Sequence, residues 1–172
     1  MATSSIRILS SNQQSILRDW LYQRGEIRDW SLVQLCLNTG LRSAEVCRLN
    51  NRHLLHPQSG ITVSVLDVDA KIAYHQPRQL PLTDLVRHAL SLYWEWKVDH
   101  RASLAPEAPF FCTLRTNKRL VPLDIQRVMK RASESLGFEL TPYDLRHTYA
   151  AELYRTTQDL KLVQACLGLG SL

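Results

Sequence analysis

Three short segments carry residues whose types and spacing suit phosphate chemistry. In residues 35–49, Arg42 follows Gly40 in a tight link between two helical registers, and Glu45 comes one turn later. A guanidinium held at such a turn beside a carboxylate makes a rigid fork for a phosphate. The plainer alternative is a helix-terminal arginine with a surface salt bridge. Residues 69–83 set Lys71 on or beside a β-hairpin, with Arg78 on the return strand. A lysine there also serves as ordinary protection of a sheet edge. In residues 141–151, Tyr143, Arg146 and His147 occupy the first turns of a helix, where free N–H groups and the dipole favour an anion. Tyr143 and Arg146 are three apart and share a face. The alternative is an amphipathic helix start with an exposed arginine.

A basic strip supplements them. Arg115, Lys118, Arg119, Arg127, Lys130 and Arg131 lie between Phe110 and Arg131 with Asp124 as the one acid. It reads either as a solvated helix face or as a track for DNA phosphates. Base-reading residues, if any, belong on the helix over 125–131.

The elements that must position these groups are mostly helices. Ser11 can cap a first helix with Ile16, Leu17, Trp20 and Leu21 on its apolar face. A second helix over 29–38 stops at Thr39-Gly40, where glycine suits a left-handed cap. Ser43 caps a short helix with Val46 and Leu49 inward. The period then changes: residues 61–68 alternate and are β-branched, predicting a strand. Further strands are expected over 71–74 and 78–80, giving a small antiparallel sheet. A long helix after Thr83 should bury Leu85, Val86, Ala89, Leu90, Tyr93 and Trp96. Pro122 opens a helix with Ile125, Val128, Met129, Ala132 and Leu136 inward, closed by Gly137. Thr141-Pro142 opens the next, and a last helix holds Leu162, Val163, Cys166 and Leu167. The expected fold class is mainly α with a small antiparallel β-sheet (α+β), as one domain over residues 1–172.

Composition narrows the function classes. The 172 residues are 45% hydrophobic and 22% charged, with six glycines and seven prolines, which excludes a low-complexity chain. The net charge of +5 favours a polyanionic partner weakly. No apolar run reaches the roughly 20 residues needed to span a bilayer. No secretory signal opens the chain, so cytoplasmic, nucleoid-associated residence and no membrane partner are expected. Cys36, Cys47, Cys112 and Cys166 lack metal-ligand spacing, so no metal is called.

Taken in order, the three segments resemble the catalytic domain of the tyrosine recombinase (phage integrase) family. Thr39-Gly40-Leu41-Arg42 with Glu45 looks like its first arginine motif. Tyr143-Asp144-Leu145-Arg146-His147 looks like its second, the H-x-x-R box, with tyrosine at the usual histidine. Lys71 ahead of residues 78–82 is similar to the hairpin lysine segment, and residues 162–172 look like the stretch that normally reads leucine-glycine-histidine. The resemblance implies site-specific DNA recombination or integration. Arg42 and Arg146 would clamp the scissile phosphate and Lys71 would protonate the leaving 5′ oxygen. Tyr143 would stand for the first histidine, with Glu45 and His147 supporting; Glu45 would orient the Arg42 guanidinium. It implies no cofactor, double-stranded DNA as partner, and other recombinase subunits on that DNA.

Two departures qualify the resemblance. Leu169 stands where the second histidine belongs, and leucine neither donates a hydrogen bond nor shuttles a proton. The nucleophilic tyrosine should follow two to three turns later, whereas the sequence stops at Leu172. The C-terminal nucleophile segment is therefore expected to be absent and the chain inactive alone. A non-catalytic DNA-binding relative is the alternative.

Overall fold

The computed structural model describes residues 6–56 and 62–170. Helix α1 (Ser11–Gln23) is capped by Ser10, not Ser11: the Ser10 hydroxyl accepts from the Gln13 N–H while the Gln13 carboxamide accepts from the Ser10 N–H. The Gln three residues on completes the capping box at Ser10. Helix α2 (Ile27–Thr39) is buried almost all round, from Trp30 to Leu37, and α1, α5 (Asp84–Asp99) and α7 (Pro142–Thr157) pack on it. The short helices α3 (Ser43–Arg48) and α4 (Asn51–Leu54) follow. Next come strands β1 (Val65–Val68) and β2 (Arg78–Pro81); α6 (Pro122–Ala132) and α8 (Leu160–Leu167) complete the helices.

The sheet has two antiparallel strands, with Leu66 opposite Leu80 and Val68 opposite Arg78. Leu66, Val68 and Leu80 face the core, as the alternation requires. β1 is shorter than the strand expected over 61–68, and residue 61 lies outside the described residues. The strand expected over 71–74 is a turn. Asp69 causes this: its carboxylate accepts from the Lys71 and Ile72 N–H groups, and its carbonyl from Ile72 and Ala73. An aspartate bonded to the backbone just ahead competes with a ladder. The Ile72 and Ala73 carbonyls are taken by the Arg48 guanidinium, so the turn is tied to α3.

Helix α5 buries Val86, Ala89, Leu90 and Tyr93, and the stripe continues to Lys97 rather than Trp96. Leu85 is exposed and Trp96 half-buried, because neither lies on the 86–90–93–97 line. Tyr93 stacks on Phe111 and meets Phe110 edge-on. The fully buried Lys97 ammonium donates to the Asn51 side-chain oxygen at 2.7 Å and to the Pro109 and Phe110 carbonyls. Burial pushes its pKa down to about 8. Among the described residues no helix is long and apolar enough to cross a membrane.

Candidate functional site: a cavity between two guanidiniums

Three helix starts converge on one cavity of about 260 Å³. Arg42, Ser43 and Ala44 come from the start of α3, Pro122 and Gln126 from α6, and Pro142, Tyr143 and Arg146 from α7; Tyr74 reaches in from the hairpin loop. All three starts share a device: an acid at the third helical position accepts from the N-cap N–H. Glu45 bonds Arg42, Asp124 bonds Val121, and Asp144 bonds Thr141. Those carboxylates offset part of the helix dipoles. None of them lines the cavity, whose charged lining is two guanidiniums.

The first arginine is placed by its turn. α2 ends at Gly40 with φ +62, and a Cβ there would press into the Tyr149 ring and the Leu167 side chain. Glycine thus permits both the left-handed cap and the close approach of α7 and α8. Arg42 follows as the N-cap of α3, with its guanidinium 5.3 Å from the Tyr74 ring centre. Its Nη1 is buried and has no hydrogen-bond partner among the described residues.

The second arginine is held more firmly. Arg146 is buried; Nη1 donates to the Gly40 carbonyl and Nη2 to the Leu167 carbonyl at 2.8 Å. Burial, then repulsion from Arg42, brings its pKa down to about 10, which leaves it charged at neutral pH. Each Nη keeps a second hydrogen for a ligand.

Glu45 departs from its expected role. Its fully buried carboxylate accepts from both Nη atoms of Arg78, at 2.8 and 2.9 Å, and from the Arg42 and Tyr74 backbone N–H groups. It orients the Arg42 backbone, and the guanidinium it grips belongs to Arg78. Burial opposes its charge, but these donors hold its carboxyl below the usual value. Arg78 also donates through Nε to the Cys166 carbonyl, fastening α8 to the sheet.

Other expected site residues lie apart. Lys71 is exposed on the hairpin turn and does not line the cavity. His147 is half-buried behind Tyr143, ring centres 6.4 Å apart. Leu169 lies in a different cleft, beside His75 and Gln164. Burial and the neighbouring Cys166 thiol raise the Tyr149 phenol, which disfavours the phenolate a nucleophile needs. Tyr143, by contrast, is exposed at the cavity mouth.

The basic strip divides. Arg131 turns away to Glu26 and Asp29 at the start of α2. Arg119 ties down the end of α3, donating to the Cys47 carbonyl at 2.7 Å and to the Asn50 side chain. Both are structural tethers, because helix-end carbonyls and partly buried carboxylates need donors. Arg127 pairs with Asp124 on its own helix. Arg115, Lys118 and Lys130 are exposed, with no side-chain partner among the described residues. Sequence reasoning missed Tyr74 and Gln126 as cavity walls. It also missed Arg78 as the partner of Glu45, for which a glutamate on the inward face of α3 was the available signal.

The Phage integrase family profile matches residues 7–172. The tyrosine recombinase XerC of Pseudomonas savastanoi pv. phaseolicola is 34% identical over 142 residues, covering 82% of this chain and 44% of that protein. XerC of Azotobacter vinelandii is 31% identical with the same coverage. The chain thus spans under half the length of these relatives. The fold is that of the crystal structure of XerA recombinase, with a TM-score of 0.80 at 20% identity over 99% of this chain and 57% of that one. XerH site-specific recombinase, solved bound to its difH substrate after cleavage, superposes with a TM-score of 0.73 at 19% identity, over 95% of this chain and 46% of that one.

Proposed function

The chain belongs to the phage integrase family, and on that premise we propose that its cavity grips a phosphodiester of double-stranded DNA between Arg42 and Arg146. The observation that carries this is that Arg42 and Arg146 line one cavity while the buried Arg42 Nη1 lacks a partner among the described residues. A buried charged donor without an acceptor is costly, and a phosphate oxygen removes that cost. Two guanidiniums on one cavity, that of Arg146 held by two carbonyls, also suit the charge that builds on non-bridging oxygens as phosphorus is attacked.

In the complete enzyme the reaction is site-specific cleavage and rejoining. A tyrosine hydroxyl attacks phosphorus, the bond to the 5′ oxygen breaks, and a 3′-phosphotyrosine forms. Lys71, exposed on the loop that carries Tyr74, gives the leaving oxygen its proton. Tyr143 adds a hydroxyl beside Arg146. The attacking hydroxyl comes from outside these 172 residues, and further recombinase subunits assemble on the same DNA. Leu169 favours a second reading, a DNA-binding relative without chemistry, because that position offers no proton-shuttling group.

A nicked duplex with a bridging phosphorothiolate tests the reaction. The chain alone should bind and leave no covalent protein–DNA band. A covalent band would overturn the assignment and place the nucleophile among Tyr143, Tyr149 and Tyr154.

A further inference from the structure

The hairpin loop touches two separate concavities. Tyr74 lines the two-guanidinium cavity, while His75, the next residue, lines an open cleft of about 420 Å³ with Gln76, Gln164, Leu169 and Gly170. The cleft offers an imidazole and two carboxamides, and among the described residues no carboxylate lines it. The His75 ring stands edge-on to Tyr74, centres 4.6 Å apart, and the Tyr74 ring in turn carries the Arg42 guanidinium. One aromatic ring therefore separates the imidazole from the clamp.

The opposite wall is fixed by the clamp itself. Arg146 holds the Leu167 carbonyl, and Gly168 then turns with φ +62. A Cβ at Gly168 would lie 2.7 Å from Arg78 Nη1 and 3.1 Å from the Gln76 carbonyl, so the end of α8 is pressed against the loop that bears His75. Leu169 gives this wall an apolar side chain, so the polar side chains of the cleft come from His75, Gln76 and Gln164.

We infer that this cleft is a second phosphate subsite, in which His75 donates to the phosphate next to the one held by Arg42 and Arg146. The inference rests on the clamp reading above. An imidazole and two carboxamides supply donors to phosphate oxygens, and consecutive phosphates of one strand run past neighbouring surface features without demanding a base.

The test uses the full chain with a short duplex at fixed salt. His75→Ala should weaken binding about five-fold, equal to roughly 1 kcal/mol, with an unchanged thermal transition. The His75 ring signals in NMR should shift along the same saturation curve as binding. Arg42→Ala run in parallel separates the two readings. Binding lost in Arg42→Ala but kept in His75→Ala overturns the subsite and leaves the clamp standing. Weakened binding in His75→Ala with unmoved ring signals makes His75 structural and also overturns it. If neither variant weakens binding, both readings fall.

Discussion

Arg78 meets Glu45 through both of its terminal nitrogens, at 2.8 and 2.9 Å, and both side chains are shut away from solvent. This pair joins the sheet to the helix that begins at Arg42, so the first clamp residue is only as well placed as the pair is intact. Removing one partner of a buried ion pair leaves the other uncompensated, and Glu45→Gln should cost about 3–5 kcal/mol in urea unfolding. The pH dependence has a definite sign. The folded carboxyl sits below its unfolded value, so the stabilisation is present above the ordinary glutamate range and is lost as pH falls through the folded pKa. The variant should show a flatter acid limb; an equally steep one would contradict the role given to the pair.

Gly40→Ala probes the turn itself. The new methyl must enter a left-handed backbone and meet Tyr149 and Leu167. A loss of at least about 1 kcal/mol is expected from the backbone alone, with more from the clash. DNA binding should fall with it, since the Gly40 carbonyl is also an anchor of Arg146. Unchanged melting would show that the close approach has slack.

Lys97→Met removes the donor to the Asn51, Pro109 and Phe110 oxygens. Unsatisfied buried acceptors make this a loss of about 2 kcal/mol or more in denaturant titration. The wild-type ammonium has a folded pKa of about 8, below that of an unfolded lysine. Between those values the unfolded chain binds more protons, so wild-type stability should rise with pH from about 8 upward. Lys97→Met should abolish that rise; a rise that survives would assign it to another group.

The basic strip predicts a split in salt dependence. Lys118→Ala and Lys130→Ala should each lower duplex affinity and reduce the logarithmic salt slope by about one. Arg131→Ala should lower stability through Glu26 and Asp29 and leave that slope alone. Equal slopes for all three variants would contradict the division.

Where the sequence spoke clearly, periodicity or caps did the speaking. Thr141-Pro142 opens α7, Gly40 closes α2, and the arginine motifs converge on one cavity as their helix-terminal positions imply. What stayed hidden depended on contacts remote in sequence. Nothing near Arg78 announces Glu45, which is 33 positions away, or the Cys166 carbonyl, 88 away. The strand expected over 71–74 gives way to a turn, because Asp69 caps the backbone N–H groups there. Counting charges between 110 and 131 could not separate Arg119 and Arg131, which serve the fold, from Arg115, Lys118 and Lys130, which face solvent.

The central claim is that Arg42 is poised for a phosphate, and Arg42→Ala tests it most directly. Binding of a fluorescein-labelled duplex should be measured by anisotropy across a salt series, alongside thermal melting. The account predicts at least a ten-fold loss of affinity, equal to about 1.4 kcal/mol, with a shallower salt slope. Folding should be intact, because the Arg42 side chain makes no hydrogen bond among the described residues. Wild-type affinity and slope in the variant would contradict it, and the cavity would then have to be assigned another purpose.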